Sequence, residues 1–450
     1  MGTGTKNLAT AGLLAIALMV GAPGSAAQSA APGQVAPGAL DSGSGAYASG
    51  RYPNLFLEDG HSEAAIQAKI DTAYQQLFHG DPQTQAVVFA AGNNANGPLE
   101  YLTDWAHHDV RTEGMSYGMM IAVQLDKKAD FDALWNWAMT YMYVSDPKAP
   151  GYEFFRWSCK PDGTPNSQTP APDGEEFFAM ALLFAGNRWP GGHGIYDYHA
   201  AAERLLTAMV HREVITVIGP RGPYSVGPEM NPDPPLVLFV PGIMPHPFTD
   251  PSYHLPAFYE LFARWGPPAD RAYWERAATE SREFFVETAN PQTGLAPDYA
   301  NFDGTPAKSW FGNQVSHFGY DAWRVERNWS VDWSWWRKAP AEQVLSDRIQ
   351  SFFASQGIDA YGPMYTLDGQ PIPVPNRPGV TPETKSPGGL VGTNAVAGLA
   401  ATNRARARLF AEALWNEPIP SGFSRYYDGM LYLMSLLHVS GEYRIILPAQ

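Results

Sequence analysis

Ser62-Glu63-Ala64-Ala65-Ile66-Gln67-Ala68-Lys69-Ile70-Asp71-Thr72-Ala73-Tyr74-Gln75-Gln76-Leu77-Phe78 is the stretch from which the fold can be read. Ile66, Ile70, Tyr74, Leu77 and Phe78 recur at helical spacing and share one face, and Gly80 follows as a stop. The same period returns at about 115–124, 130–143, 175–187, 197–213 and 254–265. It continues near 270–288, 322–337, 340–356, 391–402, 404–416 and 423–439. Twelve helices make six consecutive pairs, although no sequence repeat runs from pair to pair. Regular Val/Ile-rich strands between the helices, which a TIM barrel would need, are missing. The expectation is an all-α scaffold of six helical hairpins.

The connections are long and rich in Pro and Gly, as in Lys160–Gly174, Gly219–Pro251 and Gly362–Gly389. Loops of this length in a compact domain are more often functional than idle, and on one face of a helical scaffold they suit a substrate groove. Cys159 is the only cysteine, so no internal disulfide is possible and a large core must hold the fold; 45% hydrophobic residues fit that. A single Lys6 precedes an apolar run from Leu8 to Ala22, and Gly24-Ser25-Ala26-Ala27 follow. That order marks residues 1–27 as a secretory signal peptide, whose apolar run of about 15 residues is short of the roughly 20 of a membrane span. Residues 28–50 are Ala, Gly, Ser and Pro with almost no large apolar side chain, and are expected to be a disordered linker. Residues 51–450 then form one catalytic domain. A secreted or periplasmic monomer with no membrane attachment after cleavage is expected.

The formal charge of −15 becomes −16 without Lys6, and an acidic surface repels phosphate backbones, so nucleic acid is excluded as a partner. With 14 Trp, 22 Tyr and 22 Phe the chain is rich in flat rings. Most must be core, but such rings also offer apolar faces to the C–H faces of sugars.

Three acidic clusters could do chemistry. The first is Arg111-Thr112-Glu113-Gly114-Met115-Ser116-Tyr117-Gly118-Met119-Met120. Glu113 could simply favour a helix N-terminus. Two glycines and Ser116, however, permit close approach, and Tyr117 with three methionines offers an apolar wall that would raise a carboxyl pKa and keep it protonated. The second is Pro172-Asp173-Gly174-Glu175-Glu176, in which Asp173 is also a natural N-cap. The third is Gly319-Tyr320-Asp321-Ala322-Trp323-Arg324, where Arg324, one turn on, could hold Asp321 ionised or could form an ordinary surface pair with it. No phosphate loop or dinucleotide fingerprint is present. His107-His108 lacks the spacing of a zinc site and reads as surface histidine; no metal and no cofactor are expected.

The Arg111–Met120 run resembles the acid motif of glycoside hydrolase family 8, a Ser/Thr-Glu-Gly-x-Ser-Tyr-Gly-Met-Met pattern. The likeness extends through Pro161–Pro165, Ala171–Phe178, Asp250-Pro251-Ser252-Tyr253, Tyr320–Arg324 and Gly392-Thr393-Asn394-Ala395. The resemblance implies an (α/α)6 barrel and inversion at the anomeric carbon. It implies Glu113 as general acid, Asp321 as general base, Asp173 as the acidic contact to the sugar in subsite −1, and Tyr253 as a holder of the attacking water. An inverting enzyme needs its carboxyl groups roughly 6.5–9.5 Å apart, one protonated and one ionised. Trp157, Tyr117 and Arg324 join Asp173 and Tyr253 as candidate substrate-binding residues.

Within the family, Phe154–Gly163, Ala171–Glu176 and Asn328-Trp329-Ser330 are most similar to the reducing-end xylose-releasing exo-oligoxylanases. The implied substrate is a xylo-oligosaccharide cut at its β-1,4 bonds. In that group a loop with a Leu-His element closes the groove past subsite +1; Thr384–Leu390 here holds no His. The candidate for closure is the Gly362–Gly389 loop, stiffened by five prolines between Pro371 and Pro382. Endo-xylanase or endo-glucanase action is the alternative, and a glycan-binding barrel without catalysis a remote one. A polysaccharide lyase would want a basic site.

Overall fold

The computed structural model describes residues 44–219, 222–244, 246–307, 317–374 and 386–448. Two short helices open it, α1 (Ala46–Ser49) and α2 (Leu55–Glu58), followed by α3 (Glu63–His79), α4 (Thr112–Gln124) and α5 (Lys128–Trp137). Then come α6 (Pro172–Arg188), α7 (Tyr198–His211), α8 (Pro256–Trp265), α9 (Arg271–Thr288) and α10 (Val325–Trp336). The chain ends with α11 (Ala341–Gln356), α12 (Gly388–Val396), α13 (Arg404–Asn416) and α14 (Tyr427–Val439). The twelve long helices are those the periodicity predicts.

They form two concentric rings. Helices α4, α6, α8, α10, α12 and α14 contact one another in that order, and α14 closes on α4. Each of the first five packs against the outer helix that follows it, and α3 packs on α14. This is an (α/α)6 barrel. Composition explains which helix is inner: in α4 and α14 nearly every residue is buried, as a helix apolar all round must be. Outer α3 buries only the stripe Ile66, Ile70, Ala73, Tyr74, Leu77 and Phe78, with the Ser62 hydroxyl capping its first turn by accepting from Ala65 N at 3.2 Å. Gly114 and Gly118 are required by close packing: a Cβ at Gly114 would meet the Tyr426 ring at 2.5 Å, and one at Gly118 would meet Leu102 at 3.0 Å.

The strands are short. A four-stranded antiparallel sheet, β1 (Val88–Asn94), β2 (Gly97–Asp104), β3 (Asp109–Arg111) and β4 (Ser158–Cys159), leads into α4. Two ribbons, β5–β6 (Ile215–Gly219, Gly222–Val226) and β7–β8 (Phe248–Thr249, Ala300–Asn301), complete the set.

Residues 1–43, and with them the expected signal peptide and most of the expected linker, lie outside the described residues. The last part of that linker is ordered and needs correcting. Ser44–Gly50 carries α1, Ala46 is buried, Tyr47 stacks on Trp336 at 4.5 Å, and a Cβ at Gly45 would lie 2.2 Å from the Trp335 carbonyl oxygen. The small residues there allow contact with the barrel. Residues 375–385, the middle of the expected closing loop, also lie outside the described residues. Among the described residues no helix is long and apolar enough to cross a membrane.

A buried ion network ties the rings together. Arg282 of α9 donates to both Asp332 oxygens in α10, at 2.7 and 2.8 Å, and to Glu260 of α8 at 2.9 Å. Removing one partner of a buried pair leaves an uncompensated charge, at a cost of about 3–5 kcal/mol. Arg282→Met is therefore expected to lower the unfolding free energy measured by urea titration by an amount of that size, and an unchanged free energy would show that the network is dispensable.

Candidate active site

The N-terminal ends of five inner helices, with the turns that lead into them, meet at one place. Glu113 is the second residue of α4 and Asp173 the second residue of α6. Asp250 caps the 3₁₀ turn Pro251–Tyr253 that precedes α8, accepting from Ser252 N at 2.7 Å. Asp321 opens the 3₁₀ turn Asp321–Arg324 that runs straight into α10. Tyr426 and Tyr427 stand at the start of α14.

Arg324 joins them. Its Nη1 donates to Glu113 Oε2 at 2.8 Å, to Asp173 Oδ2 at 3.0 Å and to the Tyr117 hydroxyl at 3.1 Å. Its Nη2 donates to Asp321 Oδ1 at 3.3 Å and lies 3.6 Å from Asp250 Oδ2. The Tyr253 ring is 5.8 Å from the guanidinium carbon. Glu113 also accepts from the Tyr426 hydroxyl through Oε1 at 2.9 Å, and Asp321 accepts from the Tyr299 hydroxyl through Oδ2 at 3.3 Å.

The carboxyl groups differ in environment. Burial pushes the Glu113 pKa up; Arg324 opposes this and Asp321 reinforces it. Burial pushes Asp173 up to about 7, again against Arg324. Burial also holds Asp250 and Asp298 well above the carboxylate range. Asp321 is the exposed member: 37% of its side chain faces solvent, against 15% for Glu113 and 8% for Asp173. Glu113 and Asp321 both line an open cavity of about 370 Å³, walled by Tyr320, Trp323, Phe423 and Tyr426 and by His107 of the β2–β3 turn. A buried acid and a solvent-facing carboxylate, held by two arms of one guanidinium, can respectively give up and take a proton on either side of a bound sugar.

Several expectations need correcting. Arg324 is no surface pair for Asp321; it is buried and bonded first to Glu113 and Asp173. The apolar wall around Glu113 is not methionine. Met115, Met119 and Met120 are fully buried, with Met115 Sδ accepting from Leu102 N at 3.2 Å, while Arg324, Tyr426 and Arg111 surround the carboxyl. Tyr117 acts through its hydroxyl. Asp173 is not the N-cap of α6; Ala171 holds that position, and Asp173 Oδ1 accepts from Gly174 N at 2.9 Å. Trp157 stands apart from the cavity, exposed, with its ring 5.8 Å from the Arg111 guanidinium carbon. His107 is exposed as expected, yet it is tied to Asp104 by a 2.7 Å contact and borders the cavity. Cys159 is buried, with its thiol pushed up to about 11 by desolvation. Among the described residues no group of three or more His, Cys, Asp or Glu could hold a metal ion. Sequence reading missed Tyr426, Tyr299, Asp250 and the Asp104–Arg111 ion pair at 3.1 Å.

Fold and site together define a glycoside hydrolase of the two-carboxylate kind. The profile of the glycosyl hydrolases family 8 matches residues 102–441, and the chain belongs to that family. The reducing-end xylose-releasing exo-oligoxylanase Rex8A of Paenibacillus barcinonensis is 44% identical over 403 residues, 90% of this chain and 99% of its own. A reducing end xylose-releasing exo-oligoxylanase of Halalkalibacterium halodurans is 42% identical over 407 residues, 90% and 97% of the two chains. A family 8 structure from Teredinibacter turnerae in complex with xylobiose matches with a TM-score of 0.85 at 48% identity, covering 90% of this chain and all of that one. A catalytic mutant described as a xylanase from the same organism, in complex with xylohexaose, matches equally well.

Two substitutions test the acid. Glu113→Gln keeps the shape without the transferable proton, and kcat is expected to fall by roughly 10²–10⁴ with the fold intact. Near-normal turnover would remove Glu113 from the chemistry. Tyr426→Phe deletes a hydrogen bond that favours the ionised Glu113, so the Glu113 pKa should rise further. The protonated acid would then persist to higher pH, and the basic limb of kcat/KM should move upward; a downward shift would contradict the role given to this hydroxyl.

Proposed function

We propose that the protein is an inverting hydrolase of β-1,4-xylosidic bonds that releases xylose from the reducing end of xylo-oligosaccharides. The observation that carries this reading is the pairing of Glu113 and Asp321 across one guanidinium at the edge of a cavity. Support for the substrate comes from relatives more than 40% identical over nine-tenths of the chain.

Glu113 protonates the glycosidic oxygen, and Arg324 and Tyr426 steady the carboxylate left behind. Asp321 takes a proton from water attacking the opposite face of the ring, and Tyr253 helps hold that water. Asp173, fixed by Arg324, accepts from a hydroxyl of the sugar in subsite −1. The space between the carboxyls must admit one water, which is why an inverting pair stands roughly 6.5–9.5 Å apart. With Asp173 on the −1 side, the cavity bounded by His107, Tyr320 and Phe423 receives the leaving sugar. Its volume lies at the lower end of the roughly 300–1,000 Å³ of ligand pockets, which suits a short leaving group. The first 27 residues serve export, and the mature enzyme acts outside the cytoplasm as a monomer.

Endo-xylanase action is the second reading. It is favoured by the 48%-identical structure described as a xylanase bound to xylohexaose and by the lack of His in Thr384–Leu390.

Proton NMR during hydrolysis is expected to show the α-anomer at the newly formed reducing end before mutarotation; β-anomer first would overturn inversion. Xylotriose should yield xylose, and xylotriose reduced at its end should be a poor substrate, because a site built to bond a hydroxyl rejects the altered end. Rapid loss of xylan viscosity with mixed oligomers as products would establish the endo reading instead.

A further inference from the structure

A second cleft, of about 820 Å³, lies between α7 and the segment 135–155 and shares no residue with the catalytic cavity. Its volume is that of a ligand pocket. One wall is aromatic: the half-buried rings of Tyr143 and Tyr152 face the cleft, Tyr143 packing edge-on at 5.4 Å against Phe155, which with Trp135 is buried behind them. The other wall is polar, with Glu203 and Arg204 on the exposed face of α7 and Glu213 just beyond it.

These polar groups are unspent. The carboxylates of Glu153, Glu203 and Glu213, the Arg204 guanidinium and the hydroxyls of Tyr143 and Tyr152 form no hydrogen bond or ion pair with the described residues. Arg212, buried at the end of the cleft, donates through Nη2 to Pro150 O at 2.8 Å and stands over the Phe154 ring beside the buried Glu229. Glu153 reaches the cleft from a backbone held at φ 69°, a left-handed conformation that a residue with a Cβ adopts only under constraint. The constraint is visible: Glu153 N donates to Val144 O at 2.9 Å and Phe154 N to Gly151 O at 2.9 Å.

Flat rings facing unpaired acceptors and donors are the chemistry of sugar recognition, in which C–H faces stack and hydroxyls bond. Three carboxylates beside one exposed arginine disfavour an anionic ligand such as a uronate or a phosphate. We propose that this cleft is a second, non-catalytic carbohydrate site that holds a neutral β-1,4-xylosyl chain. The choice of a xylosyl chain rests on the function proposed above. Phe155 lines the cleft, and Trp157, two residues further on, stands exposed with its ring 5.8 Å from the Arg111 guanidinium carbon.

The test uses Glu113→Gln, which binds without cutting, and its triple variant with Tyr152→Ala and Arg204→Ala. Calorimetric titration with xylohexaose should give two sites per chain in the first and one in the second. Retardation in gels containing soluble neutral xylan should fall at least two-fold in the triple variant. With Glu113 restored, the Tyr152→Ala and Arg204→Ala pair should hydrolyse xylotriose at the unaltered rate. A single site in Glu113→Gln, or two sites that survive the cleft substitutions, would overturn the proposal. Titration of Glu113→Gln needs no cleft substitution, so a single site there overturns the proposal even if the variants fail to fold. Loss of all activity on xylotriose in the native enzyme would instead overturn the proposed function and leave the site count to be read separately.

Discussion

One buried cation serves four carboxyl groups. Arg324 reaches Glu113, Asp173, Asp250 and Asp321, and its single charge cannot neutralise four anions in a site from which most water is excluded. Desolvation settles the remainder. An ionised carboxylate without a partner in such a place costs more than the protonated acid, so burial pushes the pKa values of the surplus groups up. The directions agree: Glu113, Asp173 and Asp250 are all raised, and burial is the largest cause in each. The raised carboxyl pKa values are thus a consequence of burial with too few cations. Burial works against the charge on Arg324, but the carboxyl oxygens of Glu113, Asp173 and Asp321 and the Tyr117 hydroxyl accept from its guanidinium and keep it protonated.

The barrel makes that crowding possible. Glu113, Asp173, Asp250 and Asp321 belong to the starts of four inner helices or the turns before them, and Tyr426 to the start of a fifth. Free N–H groups and the positive ends of helix dipoles therefore point toward the cluster, each favouring negative charge there. This diffuse positive potential acts in the same direction as Arg324, against the rise that burial imposes. The inner helices approach closely at Gly114, where any side chain would displace the Tyr426 ring that bonds Glu113.

The helices were legible because burial of one face, or of all faces, leaves a period in the sequence. Glu113 and Asp321 were reached through the family motif that surrounds them. Arg324 was misplaced because its visible neighbour, Asp321, is three residues away, whereas its shorter bonds go to Glu113 and Asp173, 211 and 151 positions distant. Long-range partners carry no spacing signal. Tyr426 had a faint one: Arg425-Tyr426-Tyr427-Asp428 is a polar start to an otherwise apolar helix, and such starts mark the functional end of this barrel. The sheet that carries Asp104, His107 and Arg111 was missed: β3 and β4 have only three and two residues, and β2, though eight residues long, buries Leu102, Thr103 and Asp104 in succession and so shows no alternation at that end. Residues 44–50 were misread from composition, since small residues describe close packing as well as they describe a flexible chain.

On the proposed reading, in which Glu113 is the acid, hydrogen-bond chemistry indicates which oxygen carries its proton. Glu113 Oε2 accepts from Arg324, which has only donors to offer, so a hydrogen on Oε2 would face N–H and clash. The proton must therefore sit on Oε1. There its neighbour is Tyr426, whose hydroxyl donates to Oε1 and so favours the ionised acid. The same contact steadies the carboxylate once its proton has left. Arg324 keeps the carboxyl from rotating meanwhile, since turning it would trade a charge-assisted bond for a proton aimed at a cation. A leaving-group oxygen in the cavity beside Tyr426 meets Oε1 already carrying its hydrogen, with the charge that remains already bonded from both sides.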